Sequence, residues 1–406
     1  MSTSGDSRVA EARSATLPAG EQATAPLISS LTKSHFPALD GLRGLAILLV
    51  VVYHFGRLHP DAHSKTPGLL LDATQLGWMG VDLFFILSGF LITSILWETK
   101  DTPGYFRNFL GRRFLRIWPL YYLNLVAFFL VLPLVLHPLP DEMRSMVDDQ
   151  GWFWLYAANW LFALQGDFNH TSGGYFWSLA VEEQFYIVWP LVVFWLGARR
   201  LVWTCATLLA ISFASRIVLV SGGVSTSSVY AMTFTHLDGL AIGAALAVGL
   251  RSPRPSAIVS SVAPIGAVLA LLAMLAVRAL DGSFLFWNRS MAMYGYTIIA
   301  IGFGCLLVLV LKHQQRPVIR ALFTNRFMIA TGRYSYALYL AHVPIATALY
   351  QALYEPYAAK ASPPRAAAAF AVFALIAFAT SWAAAWASWH VFEKRVLALK
   401  RYFAYA

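Results

Sequence analysis

Long apolar stretches alternate with short polar segments along almost the whole chain. Ten of these stretches are each about 20 residues long, the length that an α-helix needs to cross the hydrocarbon core of a bilayer. They lie near residues 37–56, 76–96, 114–136, 175–196, 200–220, 231–250, 256–279, 289–311, 327–352 and 367–392. The pattern therefore predicts an all-α fold, a polytopic bundle of about ten transmembrane helices.

The two ends of the chain differ from this pattern. Residues 1–34 are rich in Ala, Ser, Thr and Gly and contain no long apolar run. This composition predicts a disordered cytoplasmic tail and not a signal peptide. We therefore expect three parts: this tail, a membrane domain over residues 35–396, and a short cytoplasmic C-terminal tail over residues 397–406.

Composition and charge support the membrane assignment. Of the 406 residues, 58% are hydrophobic and 12% are charged, whereas soluble domains carry about 25% charged residues. With the N-terminus inside, 20 of the 30 Lys and Arg residues lie in inner segments, 7 in outer segments and 3 within spans. This asymmetry explains the net charge of +10 without a nucleic-acid partner. It predicts a multi-pass protein of the inner (plasma) membrane with both termini cytoplasmic.

The longest outer loop, residues 138–174, contains an aromatic stretch, GWFWLYAANWLFAL (151–164). This stretch is too short to span comfortably, so we expect an interfacial or re-entrant helix. An ordinary aromatic belt at the membrane surface is the simpler interpretation. A platform on which sugar rings stack is the functional alternative.

Ionisable side chains interrupt the first apolar stretch, although an Arg inside a bilayer costs roughly 2.5–3.5 kcal/mol on insertion scales. Arg43 and His54 are eleven residues apart, so on a helix their side chains point within about 20° of each other. Asp40 lies one turn before Arg43, where an ion pair can form. One interpretation is that Asp40 and Arg43 cap the inner end of the helix while His54 reaches the outer interface. The other is that these three residues form a polar stripe along one helix face, which lines a polar passage. In a passage, His54 can exchange protons near neutral pH.

The second and third spans carry further candidates. Asp82 lies in an apolar run, where it could orient His54 or pair with an arginine. Ser88 and Gly89 are small enough for a helix or a ligand to approach closely. The third span opens with three arginines, Arg112, Arg113 and Arg116. They form either a stop-transfer cluster or a site for a polyphosphate, because guanidinium groups suit phosphate oxygens.

Later spans add acidic residues and histidines. Glu182 and Glu183 are adjacent in the fourth span and point about 100° apart on a helix. We expect at most one of them to line the same cavity face as Trp177 or Tyr186. The sixth and ninth spans contain His236, Asp238, Arg333 and His342. Taken alone, histidines such as His236 and His342 more often form structural hydrogen bonds than act in catalysis.

Motifs of several other enzyme classes are missing. The sequence contains no Walker A motif, no G-x-S-x-G elbow, no H-E-x-x-H and no Asp-x-Asp motif of metal-dependent glycosyltransferases. Its two cysteines, Cys205 and Cys305, lack the spacing of metal ligands. We therefore expect no metal centre.

Six segments, in this order, resemble the acyltransferase 3 family of bacterial membrane O-acyltransferases. They are FPALDGLRGLAILLVVVYHF, GVDLFFILSGFLIT, RRFLRIWPLYY, WSLAVEEQFYIVWP, HLDGLAIGAALA and GRYSYALYLAH. The resemblance covers nearly the whole chain from about residue 35. It implies ten core spans, acyl-CoA from the cytosol, often acetyl-CoA, and hydroxyl acceptors on sugars of lipopolysaccharide, peptidoglycan, exopolysaccharide or secondary metabolites. Because the chain stops at Ala406, we expect the stand-alone type without an SGNH domain.

The resemblance also implies roles for individual residues. His54 and Arg43 would be the catalytic pair, joined by Asp82 and Glu182. The arginine cluster Arg112, Arg113 and Arg116 would lie near the phosphates of CoA. The supporting candidates are Asp40, Ser88, Glu183, Asp238, Arg333 and His342.

The expected activity is transfer of an acyl group, in our expectation acetyl, from cytosolic acyl-CoA to a sugar or glycan hydroxyl. His54 would act as the general base or form an acyl-His intermediate. Acyl-CoA is then a co-substrate, and no bound cofactor is expected. A proton-coupled secondary transporter of a small polar or glycan-related solute is the alternative; it would use the same buried charges as a relay. A membrane sensor or scaffold is a third and weaker alternative.

Overall fold

A computed structural model describes residues 36–59, 73–135, 141–168 and 173–405 of the chain. The expected N-terminal tail, residues 1–34, lies outside the described residues. Helices and their connections account for the described part of the chain, and no strand forms there. The prediction of an all-α fold is therefore confirmed.

Ten helices correspond to the ten expected spans. They are α1 (Pro37–Arg57), α2 (Gly80–Thr99), α3 (Tyr105–Val126), α4 (Phe176–Trp195), α5 (Ala198–Ser221), α6 (Leu237–Gly249), α7 (Pro253–Asp281), α8 (Tyr296–Lys312), α9 (Arg326–Leu349) and α10 (Pro363–Ser388). Among the described residues, 7 helical segments are long and apolar enough to cross a membrane. Helices α4 and α9 are long enough but are not among these seven, because their polar residues lower the mean hydropathy. Helix α6 is only 13 residues long. The protein is a multi-pass membrane bundle whose more polar helices lie inside it.

Two pairs of helices, α1 with α9 and α2 with α6, make the most extensive contacts. Gly89 of α2 lies against the backbone of Leu240, and Gly243 of α6 lies against the Ile86 carbonyl. A Cβ atom at either glycine would collide with the backbone of the neighbouring helix. Gly89 therefore serves helix packing, which is one of the two roles that the sequence left open. Close approach of this kind is a main source of helix association in lipid.

The aromatic stretch 151–164 forms two short helices, Gln150–Trp154 and Ala158–Gln165. Tyr156, with φ 51°, lies between them, and its ring stacks on Tyr121 of α3 with 4.0 Å between centroids. The Tyr121 hydroxyl donates to the Phe153 carbonyl at 2.7 Å. The stretch therefore forms two short helices instead of the expected one, and part of it packs on α3; its interfacial or re-entrant position stays a prediction.

The residues that follow α10 also pack on α3. They continue through the segments Trp389–Glu393 and Lys394–Ala398 into a 3₁₀ helix, Leu399–Phe403. Asn108 of α3 donates its side-chain amide to the Ala404 carbonyl at 2.8 Å. The segment expected to be a short C-terminal tail is therefore docked along α3.

We expect Gly243→Leu to destabilise the bundle by about 2 kcal/mol, because overpacking of a close contact costs about 1–3 kcal/mol. The thermal unfolding midpoint of the purified protein in detergent measures this loss. Gly197→Ala is the matched control, because a Cβ atom there meets nothing within 4 Å. Equal midpoints for the parent protein and Gly243→Leu would contradict the close packing of α2 and α6.

Candidate active site

Two cavities lie one behind the other between α1, α2, α4 and α9. The histidine cavity, of about 560 Å³, is lined by His54 and Arg57 near the C-terminal end of α1. The arginine cavity, of about 100 Å³, is lined by Arg43 near the N-terminal end of the same helix. Val81 and Tyr339 line both cavities. The cavities therefore adjoin at these two side chains, which we call the partition.

The geometry of α1 explains how one helix serves both cavities. Arg43 and His54 are about three helical turns apart on one face, and each lines one of the two cavities. Asp40 accepts from the Arg43 guanidinium at 3.5 Å, which is the ion pair that the spacing predicted. The expected polar stripe is therefore present along α1.

His54 contacts His342, a residue of α9 that the sequence analysis did not pair with it. The Nδ1 atom of His54 lies 2.9 Å from the Val50 carbonyl and 3.1 Å from Nε2 of His342. The Nδ1 atom of His342 lies 3.0 Å from the Leu338 carbonyl. His342 is fully buried, whereas His54 is partly accessible from its cavity.

These contacts define which ring nitrogens carry protons. A carbonyl oxygen only accepts, so the Nδ1 atoms of both rings must carry hydrogen. The one hydrogen on His54 Nδ1 is then shared between the Val50 carbonyl and Nε2 of His342, which both accept. The lone pair of His54 lies on its Nε2 atom. An imidazole held in this form can accept a proton from a group in the histidine cavity.

Arg113 and Arg116 of α3 line the arginine cavity together with Arg43. The Arg113 guanidinium lies 5.4 Å from the ring centroid of Tyr186. Arg116 lies 3.9 Å from a carboxylate oxygen of Glu393, a partner that the sequence analysis missed. Three guanidinium groups around a small cavity are suited to binding an anion with several charges.

Arg112, expected in the same cluster, is directed away from the cavity. Its guanidinium donates to the Phe403 carbonyl at 3.3 Å and lies 4.7 Å from the ring centroid of Tyr405. Only two of the three predicted α3 arginines line the arginine cavity. The docked C-terminal segment accounts for this difference.

Glu182 and Glu183 both line the arginine cavity, as does Tyr186. Ser88 donates to Glu182 at 2.6 Å and accepts from the Tyr186 hydroxyl at 2.9 Å. The Trp118 indole donates to Glu183 at 3.1 Å. The expectation that at most one glutamate lines the same cavity face as Tyr186 is therefore wrong, because adjacent side chains of α4 reach the same cavity through different partners, Ser88 and Trp118.

Asp82 lines neither of these cavities and belongs to a second buried cluster. Its Oδ1 atom lies 3.9 Å from Nδ1 of His236. Next to them, Asp238 accepts from Arg216 at 3.0 Å and from the Thr297 hydroxyl at 2.9 Å. Asp82 therefore contacts His236, and the expected orientation of His54 by Asp82 has no contact to support it.

This second cluster lies behind the wall of the histidine cavity. The His236 ring is 5.1 Å from Trp177 and 4.9 Å from Tyr230, centroid to centroid, and both aromatic residues line that cavity. Arg216 is fully buried. Arg216, an arginine inside the fifth span, was the sequence signal for this cluster, but its partners are far away along the chain.

Several other features differ from expectation. Arg333, a supporting candidate, is exposed and lines neither cavity. No residue of the stretch 151–164 lines either cavity, so the stacking platform has no structural support. Aromatic residues from other segments line the histidine cavity: Phe168, Tyr175, Trp177, Tyr230, Phe286 and Trp287. Aromatic residues are too frequent in this sequence for the pattern to single these out.

A protein-family model described as "Acyltransferase domain" matches residues 36–386 of the chain. The chain belongs to the acyltransferase 3 family. The peptidoglycan O-acetyltransferase OatA of Listeria monocytogenes is 29% identical over 337 residues, which are 78% of this chain and 50% of that protein. The O-acetyltransferase OatA of Staphylococcus aureus is 29% identical over 338 residues, 77% of this chain and 50% of its own length. No solved structure matches the chain.

This acyltransferase 3 chain spans about half the length of these curated relatives. The match to the family covers α1 to α9 and most of α10, and so includes both cavities and the buried cluster around Arg216. Among the described residues, no group of three or more His, Cys, Asp or Glu side chains is placed to hold a metal ion.

We expect Arg216→Met to destabilise the protein by about 3 kcal/mol, because it leaves Asp238 buried without its counter-charge. Thermal unfolding in detergent measures the effect. The double variant Arg216→Met, Asp238→Leu should recover most of the loss, because it removes both charges together. Arg200→Met, at an exposed position of α5, controls for the substitution itself. A single variant as stable as the parent would show that the ion pair has no such role.

Proposed function

We propose that the protein is a membrane O-acetyltransferase that moves an acetyl group from acetyl-CoA to a hydroxyl of a sugar or glycan. The observation that carries the proposal is the pair of adjoining cavities, with an imidazole in one and three guanidinium groups in the other. The names of the relatives support an acetyl group, and the name of the Listeria protein supports a glycan acceptor.

The arginine cavity is the proposed donor site. Arg43, Arg113 and Arg116 would bind phosphate oxygens of CoA through charge-assisted hydrogen bonds. A space of about 100 Å³ holds only a slender group, so the pantetheine arm would enter it while the nucleotide stays at its mouth. Arg112 would lie at the edge of this site. The excess of Lys and Arg in the inner segments supports a cytosolic donor side and cytoplasmic chain termini in the inner membrane.

The histidine cavity is the proposed acceptor site. Nε2 of His54 would take the proton from the acceptor hydroxyl as its oxygen attacks the thioester carbonyl at the partition. The new C–O bond forms, the C–S bond breaks, and the proton passes to the CoA sulfur to give the free thiol. His342 would stabilise the charged imidazole, because its Nε2 accepts from His54 Nδ1. Since the thioester already activates the acyl group, positioning and proton transfer supply the remaining catalysis.

A proton-coupled transporter is the second candidate, since buried ionisable residues also serve as proton relays. Such a transporter would need no arginine site for CoA. Incubation of the purified protein with labelled acetyl-CoA and a sugar acceptor distinguishes the two functions. Release of CoA together with a labelled sugar supports the acyltransferase.

We expect His54→Ala to lower acetyl transfer at least about 100-fold, which is the usual contribution of a general base. The measurement is the rate of CoA release in the presence of a sugar acceptor. His390→Ala is the matched control, because the Nδ1 atom of this exposed histidine also faces a carbonyl one turn earlier, at 2.8 Å. Transfer near the parent rate in His54→Ala would contradict the assignment of the base.

We expect the double variant Arg113→Gln, Arg116→Gln to raise the KM for acetyl-CoA at least about tenfold, because a hydrogen bond to a charged group contributes about 1.5–3 kcal/mol. Steady-state kinetics at varied acetyl-CoA concentration measure this change. Arg107→Gln removes one charge from an exposed position of the same helix and should leave the KM unchanged. An unaltered KM in the double variant would argue against the donor site.

A further inference from the structure

The histidine cavity is lined mainly by aromatic rings, and its lining also contains two hydroxyl residues, Thr226 and Ser227. Within the described part of the chain, its lining contains no acidic side chain. Arg57 is the permanent cation of this lining. A cavity with aromatic walls and one positive charge is suited to a ring-shaped ligand that carries a negative group.

Arg57 also differs from most other arginines of the bundle interior. Arg216 pairs with Asp238, and Arg251 pairs with Glu98. In the described residues, no carboxylate lies within ion-pair distance of Arg57. Its guanidinium lies 5.2 Å from the ring centroid of Trp287. Arg57 also interacts with the Tyr53 hydroxyl. A guanidinium has five N–H donors, so these two contacts leave others that can bind an oxyanion.

The spacing of Arg57 and His54 on α1 gives the distance between an anion bound at one residue and a hydroxyl at the other. The two residues are three apart on α1, so they share a helix face and are separated by about 4.5 Å along the axis. Both line the same cavity. A single acceptor molecule can therefore contact Arg57 with an anionic group while its hydroxyl lies at the imidazole.

We propose that Arg57 determines acceptor specificity by binding an oxyanion, a carboxylate or a phosphate, on a sugar whose reacting hydroxyl lies about one helical turn away. This rests on the proposed acetyl transfer. The aromatic residues Trp177, Tyr230 and Trp287 provide the surface for the sugar ring. The charge of Arg57 then favours acidic sugars over neutral ones of the same shape, because an ion pair is stronger in a walled cavity than in water.

The test compares acceptors that differ in charge. N-acetylmuramic acid with its methyl ester forms the carboxylate arm, and glucose 1-phosphate with glucose forms the phosphate arm. For the parent protein we expect kcat/KM to be at least tenfold higher for the acid than for its neutral partner in at least one arm. Arg57→Gln should lower the ratio of kcat/KM for the acid to kcat/KM for its neutral partner to about one, and Arg57→Lys should keep part of that ratio, since lysine lacks the guanidinium fork. Arg365→Gln, at an exposed position, should change nothing.

No preference for either acid in the parent protein, or an undiminished preference in Arg57→Gln, would overturn the assignment. Isothermal titration of N-acetylmuramic acid and of glucose 1-phosphate into the parent protein and Arg57→Gln tests it without turnover. If Arg57→Gln binds the acid at least tenfold more weakly than the parent protein, the Arg57 site is supported. This holds even if no acceptor causes release of CoA, because the absence of CoA release rejects only the proposed acetyl transfer. Equal binding, or none, overturns the Arg57 site.

Discussion

A charge inside a bilayer is stable only where the protein supplies an opposite charge, a hydrogen bond or a water-filled space. This constraint accounts for the positions of the ionisable side chains in the bundle. Arg216 and Asp238 neutralise each other in the dry interior. Arg43, Arg113 and His54 line cavities. Helix α1, which carries Arg43 and His54, is largely buried, whereas the more uniformly apolar helices α7 and α10 leave most of their surface exposed on the outside of the bundle.

Close backbone contacts make this arrangement possible. Gly332 of α9 lies against the Asp40 carbonyl of α1, where a larger residue would hold the helices apart. The same helix pair brings His342 to within hydrogen-bond distance of His54, although the two are 288 positions apart in the chain. A contact that looks purely structural at one end of α1 therefore sets the environment of the imidazole near the other end.

The sequence alone predicted the helices and the stripe on α1, because the period of a helix is known in advance. It also pointed to Glu182 and to the arginines of α3. It could not pair His54 with His342, or Asp82 with His236, because such pairs depend on how distant helices pack. Arg112 shows the same limit: its helix face was clear, but its contact with the docked C-terminal segment was not. The role of the aromatic stretch 151–164 could not be predicted for a related reason. The same residue types, Trp, Tyr and Phe, pack protein cores and bind sugar rings.

The partition formed by Val81 and Tyr339 has a consequence for the membrane as a whole. An open, water-filled path through a ten-helix bundle would leak protons and ions and dissipate the electrochemical gradient of the cell. Val81 offers no hydrogen bond to water, and the Tyr339 hydroxyl is occupied by the Tyr175 carbonyl at 2.7 Å and by Ser178 at 2.6 Å. The partition therefore offers no free side-chain donor that could link water molecules in the two cavities. One bundle can thus contain two adjoining cavities without a line of free hydroxyl groups for protons to follow between them.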